Sequence, residues 1–277
     1  MLKRVLMPLN LHESKERVDN VCEFIKTLGT EEIVLLHVGS NSGGAGRHNS
    51  QKLASAASRV EKLGFRTDTA IRPGSVQLEI VHAAAEFEAD YIGFSFRRKN
   101  WLKRAILGSN IKDVIRQSDI PVFVYKERSR RAQEDEPYRV LYATSLQWKD
   151  DIIISYIRNK KFKPDEVDFL YVGKRAPDPV VEQQRRDRIA ERMEELRERC
   201  GLSESEARHI EVLGSARRQI VKVAKRLPAD VILLGKADTV SGIGPVLGST
   251  AEEVSYNATC SVLIIPRDLT PASEAAT

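Results

Sequence analysis

The sequence contains little cysteine and no long apolar run, and each shortage excludes a class of protein. Its three cysteines, Cys22, Cys200 and Cys260, are far apart and odd in number, so we expect reduced thiols rather than a disulfide framework or a metal motif. No apolar stretch approaches the ~18 residues that a membrane helix needs, and the N-terminal one is too short for a signal peptide. These features predict a cytoplasmic protein without membrane insertion.

The numbers of positive and negative charges are also nearly equal. The chain has 44 basic and 39 acidic residues, interspersed along 277 positions, and its aromatic content is only 6%. Nucleic-acid binding typically produces a basic stripe with interleaved aromatic residues. We therefore favour an ordinary solvated surface and predict no nucleic-acid partner.

What the sequence does contain is a long internal repeat. Residues 74–126 align with residues 214–266 without a gap, at a constant offset of 140 (74 + 140 = 214). Thirteen positions are identical, including a Leu-Gly-Ser triplet in each copy, whereas unrelated segments of this length would share about three. A duplicated unit is the better explanation.

Each copy alternates short apolar strands with helical patterns. The stretch "EIVLLHV", residues 32–38, is nearly continuously apolar, as expected for a strand buried on both faces of a parallel sheet. A Gly/Ser loop follows it, and the next helix is expected near residues 51–63. The alternation predicts an α/β fold with a doubly wound, five-stranded parallel sheet in each half. We predict domains at 1–127 and 138–267, with a charged linker at 128–137 and a flexible tail at 268–277.

Small residues mark one edge of the second sheet. Ligands of such sheets bind at the carboxyl ends of strands, and here a strand ends at Gly235 while the next helix begins at Gly248 and Ser249. A glycine lets backbone approach a ligand, and a helix start suits phosphate. Ser249 and Glu252 also match a capping box, which needs no ligand. The spacing alone supports a phosphate site and a capping box without a ligand about equally.

The stretches "PADVILLG", "GSTAEEV" and "ATCSVLIIP", in this order, resemble the universal stress protein family, and the resemblance covers nearly the whole chain as two tandem copies. It implies an adenine nucleotide alpha hydrolase-like fold for each domain. It also implies that the two domains meet through their last strands as an internal pseudo-dimer, and it leaves a further homodimer open.

The resemblance implies a nucleotide site in each copy. In the family, phosphates rest on a glycine loop between the fourth strand and the following helix, and an aspartate after the first strand holds the adenosine. The residues implied in the second domain are Thr144, Ser145, Val172, Leu234, Gly235, Asp238, Gly248, Ser249 and Thr250. A weaker nucleotide or anion site in the first domain is implied at Leu9, Asn10, Val38, Ser95, Arg98, Gly108, Ser109 and Asn110.

Both copies depart from the family pattern. Asp238 stands where the second loop glycine belongs, and in the first copy Ser95 and Arg98 replace both loop glycines. Asn10 and Ser145 replace the aspartate, so a ribose hydroxyl would be bound without charge assistance.

The leading hypothesis is a stress-response or regulatory protein that binds ATP or AMP in the second domain without turnover, with magnesium entering only alongside the nucleotide. The alternative is a protein-interaction module whose nucleotide sites have lapsed. Its basic loop at residues 97–104, around Trp101, would then meet an unidentified protein partner, although a solvated loop is the favoured interpretation of that segment. A third hypothesis, a hydrolytic enzyme, lacks any recognisable base or metal motif.

Overall fold

The computed structural model of the protein describes residues 2–40, 42–96, 109–126, 137–146, 151–162, 164–236 and 249–266. The chain divides into two compact units, Met1–Glu127 (unit 1) and Arg128–Thr277 (unit 2). The expected tail at 268–277 and all but the last residue of the expected linker at 128–137 lie outside the described residues.

Unit 1 alternates strands and helices along the chain. Its elements are β1 (Arg4–Pro8), α1 (Lys15–Thr27), β2 (Glu32–Val38), α2 (Gly43–Lys62), β3 (Arg66–Arg72), α3 (Val76–Glu86), β4 (Tyr91–Phe96), α4 (Ser109–Gln117) and β5 (Val122–Lys126). The strands are ordered β3-β2-β1-β4-β5, and each neighbouring pair is parallel.

Unit 2 repeats this arrangement. Its elements are β6 (Arg139–Thr144), α5 (Asp151–Ile157), β7 (Glu166–Gly173), α6 (Pro179–Cys200), β8 (Ala207–Leu213), α7 (Ala216–Arg226), β9 (Val231–Gly235), α8 (Ser249–Asn257) and β10 (Ser261–Ile265). The order β8-β7-β6-β9-β10 mirrors that of unit 1, and all pairs are again parallel. The predicted α/β fold with two tandem parallel-sheet domains is confirmed.

Local sequence explains where the longest helix of unit 2, α6, begins and ends. Helix α6 starts at Pro179 after Asp178, whose carboxylate accepts hydrogen bonds from the backbone N–H groups of Val180 and Val181 at 2.8 and 3.0 Å. Its last residue is Cys200, and the capping residue that follows, Gly201, adopts the left-handed conformation with φ 70°. Among the described residues, no helix combines the length and the apolar character needed to cross a membrane.

The Gly/Ser segment after β2 was expected to be a loop and is largely helical. Helix α2 begins at Gly43, eight residues before the expected position at residue 51 (51 − 43 = 8), and the N–H of Gly46 donates to the Ser42 carbonyl at 3.0 Å. Gly46 and Leu53 both belong to this helix, and both are buried. Tertiary packing therefore outweighs the low helix propensity of the glycines.

The repeated Ala-Asp pair has a structural role in both units. Oδ2 of Asp90 accepts hydrogen bonds from the N–H groups of Lys3 and Arg4 at 2.7 and 2.9 Å, and Oδ2 of Asp230 accepts one from Arg139 at 2.9 Å. Each aspartate also donates its own N–H to the first residue of the neighbouring strand, at 2.8 and 2.9 Å. The carboxylates thus join the amino ends of β1 to β4 and of β6 to β9.

Replacing Asp230 with alanine is expected to lower the free energy of unfolding by about 1–3 kcal/mol, because the Arg139 N–H loses its acceptor at a site where Asp230 is only 3% exposed. Asp90→Ala repeats the test in unit 1, where two donors lose their acceptor. Urea unfolding followed by circular dichroism measures both. A change below 0.5 kcal/mol in each variant would contradict this role.

Candidate functional site

The direction of the chain reverses at one place in each sheet. In unit 1 the chain builds outward from β1 to β2 and β3, then returns to β4 on the other side of β1. Unit 2 reverses in the same way between β6 and β9. Connections that leave neighbouring strands in opposite directions open a crevice at the carboxyl ends, where ligands of such sheets bind.

The turns after β1 and β6 have the same unusual backbone. Leu11 and Leu146 have φ values of 62° and 54°, a conformation that costs a non-glycine residue roughly 1–2 kcal/mol. A polar side chain stabilises each turn, since Oδ1 of Asn10 accepts from the His12 N–H at 2.8 Å and Oγ1 of Thr144 accepts from the Leu146 N–H at 2.9 Å. Both oxygens are therefore engaged within their own turns.

A ring covers a glycine at the end of the second strand in both units, and the sequence reasoning missed it. An added Cβ on Gly39 would lie 2.6 Å from Nε2 of His37, and one on Gly173 would lie 2.8 Å from Cε1 of Tyr171. Nδ1 of His37 is 2.9 Å from the Leu9 carbonyl. The only sequence signal was a ring two residues before a glycine in both copies. In the sequence, the predicted site residues Val38 and Val172 each stand between the ring residue and the glycine. Both are half-buried.

Beside the Tyr171 ring, unit 2 places an ion cluster at the carboxyl end of β7. The buried carboxylate of Glu182 accepts from Arg185 at 2.8 and 2.9 Å and from the Ala176 N–H at 2.8 Å. These bonds, the one from Arg185 first, hold the pKa of Glu182 far below its ordinary value. Glu211 also accepts from Arg185, at 2.6 Å. Because a lowered carboxyl pKa stabilises the fold above the unfolded-state pKa, this contribution is complete at neutral pH and is lost on acidification.

The fourth strand ends differently in the two units. Ser95 lies at the carboxyl end of β4 and pairs with Tyr125, while Gly235 ends β9 and pairs with Ile265, which preserves the offset of 140. In unit 1, Arg17 of α1 donates from Nε to Oγ of Ser95 and from Nη2 to the Ser95 carbonyl, both at 2.5 Å.

The helices that follow these strands start at equivalent residues. Ser109 begins α4 and Ser249 begins α8, so the serines of both Leu-Gly-Ser triplets stand at helix starts. Asn110 is exposed and Thr250 half-buried in the first turns. The remaining predicted site residues, together with the loop around Trp101, lie outside the described residues: Arg98, Gly108, Asp238 and Gly248.

The structure thus brings part of the predicted site together. In unit 2, Ala143 pairs with Leu234, which places Thr144 and Gly235 at the ends of neighbouring strands. Ser145 is exposed on the same edge. In unit 1, Leu9, Asn10 and Ser95 lie at the corresponding edge. Within the described part of the chain, no group of three or more His, Cys, Asp and Glu side chains could hold a metal ion.

Known structures share this architecture along almost the full chain. A universal stress protein from Archaeoglobus fulgidus aligns over 96% of this chain and 97% of its own, with a TM-score of 0.71 and 22% identity. PA1789, a functionally unknown protein from Pseudomonas aeruginosa PAO1, aligns over 96% of this chain and 92% of its own, with a TM-score of 0.72 and 17% identity.

Sequence comparison agrees with the fold. Universal stress protein MJ0577 of Methanocaldococcus jannaschii is 28% identical over 158 residues, which span 47% of this chain and 98% of that protein. The profile of the Universal stress protein family matches two segments, residues 1–126 and 158–266, one in each unit. The chain therefore belongs to the universal stress protein family, as two tandem domains.

Proposed function

We propose that this protein is a cytoplasmic stress-response or regulatory protein that binds an adenine nucleotide, ATP or AMP, in unit 2 and does not turn it over. One observation carries the proposal. At the reversal point of unit 2, Gly235 ends β9 beside the end of β6, and the next described helix along the chain, α8, begins at Ser249. A side-chain-free strand end followed by a helix start is suited to phosphate groups.

The residues present fit such a ligand in kind. Ser145, exposed after β6, offers a hydroxyl to a ribose, and the half-buried backbone at Val172 offers peptide groups to a base. Gly235 lets the phosphates approach the main chain, and the first N–H groups of α8, at Ser249 and Thr250, are donors for them. Magnesium would enter with the phosphates rather than through a site of its own.

Binding without turnover is supported by the chemistry of this edge. Among the described residues, β6 ends at Thr144 and is followed by Ser145, and β9 ends at Gly235 and is followed by Lys236. Their side chains carry hydroxyl and ammonium groups. Hydrolysis needs a positioned base or a metal-activated water, and at neutral pH these four residues supply no carboxylate or imidazole for either.

Gly235→Val is expected to weaken nucleotide binding at least tenfold, because a branched side chain then stands where phosphates approach the main chain. Isothermal titration of the full chain with ATP and AMP measures this effect. Gly44→Val is the matched control, because Gly44 lies in unit 1 and the space around an added Cβ there is open. Gentle purification followed by mass spectrometry should also detect co-purified nucleotide.

Three outcomes would contradict the proposal. If titration with millimolar ATP or AMP releases no heat, the chain does not bind these nucleotides, and the protein-interaction module is favoured instead. Equal affinity of Gly235→Val and wild type would move the site away from unit 2. Substantial ADP release during long incubation with ATP and magnesium would make the protein an enzyme.

A further inference from the structure

The helix between the third and fourth strands differs sharply in charge between the two units. Helix α7 of unit 2 has five basic residues and no acidic one: Arg217, Arg218, Lys222, Lys225 and Arg226. Its counterpart α3, at the constant offset of 140 (76 + 140 = 216), has two glutamates and no lysine or arginine. The near balance of charge over the whole chain therefore conceals a local excess of positive charge in unit 2.

The fold does not require these charges. The two helices bury the same positions of the repeat: Ile80, Ala83 and Ala84 in unit 1, and Ile220, Val223 and Ala224 in unit 2. On the exposed side, Leu78 and Ala85 of α3 stand where α7 has Arg218 and Lys225. A helix with this buried face thus forms in unit 1 without a lysine or arginine on it.

The charges of α3 are paired within its own unit, and those of α7 are not. Glu79 and Glu86 of α3 both form ion pairs with Arg72 of β3. In the part of the chain that the structure describes, no carboxylate pairs with any of the five cations of α7, and all five are exposed. Glu253, exposed on the neighbouring helix α8, accepts from Asn257 of its own helix at 2.7 Å.

Four of the cations lie on one face of α7. Arg218, Lys222, Lys225 and Arg226 are spaced four, three and one residues apart, so they form a ridge about 12 Å long. Like charges four residues apart, as in Arg218 and Lys222, weaken a helix. Arg217 and Arg218 also stand in the first turn, beside the positive end of the helix dipole. The ridge therefore opposes the stability of its own helix.

We infer that this basic ridge of α7 is a docking surface for an acidic helical segment of a partner protein. Carboxylates that recur every three to four residues on a helix form a ridge of the same length and spacing. Complementary charge of this kind steers association and selects the partner. The inference goes beyond nucleotide binding in unit 2 and does not depend on it.

Other polyanions fit this face less well. Helix α7 contains no aromatic residue on which the bases of a single strand could stack. Its large apolar residues, Ile220, Val221 and Val223, are buried, which leaves none to insert into a bilayer. A ridge of four cations is also short for a nucleic-acid duplex, whose binding proteins commonly make roughly 6–10 phosphate contacts. An acidic protein segment matches both the size and the polarity of the ridge.

A synthetic helical peptide, with blocked ends and glutamates every three to four residues, tests the inference on the full chain. Fluorescence anisotropy at low ionic strength should show binding that weakens as salt increases. Arg218→Gln combined with Lys222→Gln should weaken binding about fivefold, because each exposed ion pair contributes modestly. Lys62→Gln combined with Lys160→Gln is the matched control: it removes two exposed charges elsewhere and should bind as wild type does.

Charge reversal tests the contact from both sides. Lys222→Glu should weaken binding of the acidic peptide more than Lys222→Gln does, and a peptide with one central glutamate changed to lysine should recover part of the loss. Circular dichroism checks that each variant folds, which is expected because all substituted side chains are exposed and glutamine favours helices. The affinity for ATP should stay unchanged in every α7 variant, so this test is separate from that of the nucleotide site.

Four outcomes would overturn the inference. The first is no binding of the acidic peptide to the wild-type chain at millimolar concentration. The second is an equal loss in the α7 and control variants, since net charge alone would then explain the binding. The third is equal binding of a peptide of the same composition with its glutamates grouped at one end. The fourth is tighter binding to phosphatidylserine vesicles or duplex DNA that is lost in the α7 variants, which would assign the ridge to a membrane or a nucleic acid.

Discussion

Replacing Arg208 with methionine is expected to lower the free energy of unfolding by about 3–5 kcal/mol. Arg208 of β8 donates from Nε and Nη2 to the two carboxylate oxygens of Asp168, at 2.6 and 3.0 Å. Asp168 lies inside β7 with a side chain only 1% exposed, whereas that of Arg208 is 49% exposed. Methionine keeps the length of the side chain and leaves a carboxylate in the core without its guanidinium.

The reciprocal change should behave differently. Val34 occupies the position of Asp168 in unit 1, since each lies two residues after the glutamate that begins its strand and pairs with equivalent residues of β1 and β6. Asp168→Val therefore installs the residue that the same fold already buries, and Arg208 is exposed enough to be solvated. We expect a cost below 1 kcal/mol, or a gain, because a buried ion pair replaced by apolar packing is often neutral or stabilising.

Urea unfolding of both variants, followed by circular dichroism, compares the two changes. The prediction is an asymmetry within one ion pair, in which the loss of the exposed partner costs more than the loss of the buried one. Equal costs for Arg208→Met and Asp168→Val would show that the pair itself, rather than the uncompensated buried charge, contributes the stability.

Phe123→Ala is expected to cost about 3–5 kcal/mol through the cavity it leaves in the core of unit 1. Phe123 of β5 is fully buried, and its ring stacks on Phe24 at 5.5 Å and meets the edge of Tyr91 at 6.5 Å between centroids. The Tyr91 hydroxyl is in turn hydrogen-bonded to Thr30, at 2.6 Å. These contacts hold the surrounding rings in place, so the cavity has little room to collapse.

Phe123→Leu is the matched control for this cavity. Leu263 occupies the same position in unit 2 (123 + 140 = 263) and is also fully buried, so the backbone there accepts leucine. We expect a loss of about 1–2 kcal/mol, from the missing ring contacts and a smaller void. The melting temperature of the full chain, measured by calorimetry, reports both variants. A cost below 2 kcal/mol for Phe123→Ala would mean that the neighbouring rings close the cavity.

The two units have kept one fold while their carboxyl edges have diverged. The aspartates that join strand ends, the positive-φ leucine turns and the rings over glycines recur in both units. Their repetition is explained by the fold, because they stabilise turns and strand ends. At the end of the fourth strand the described residues differ, since Arg17 is bonded to Ser95 in unit 1 and Gly235 stands at the position of Ser95 in unit 2.

Sequence reasoning located most of the fold because its signals are local. Buried parallel strands appear as apolar runs, and the gapless repeat required both halves to share one topology. The resemblance to the family implied Thr144 and Gly235 as residues of one site, and the structure places them at the ends of neighbouring strands. Sequence reasoning misplaced the start of α2, where the burial of Gly46 and Leu53 outweighs the propensity of the glycines.

By itself, the sequence determined that this protein consists of two copies of one α/β unit, because periodicity and repetition are written along the chain. Only the tertiary structure decided which distant side chains meet. Arg17 and Ser95 are 78 residues apart, and Asp168 and Arg208 are 40 apart. No local pattern encodes such pairs, since they form only when strand order brings separate elements side by side. The positive charge at the edge of unit 1 and the buried charge in unit 2 both arise in this way.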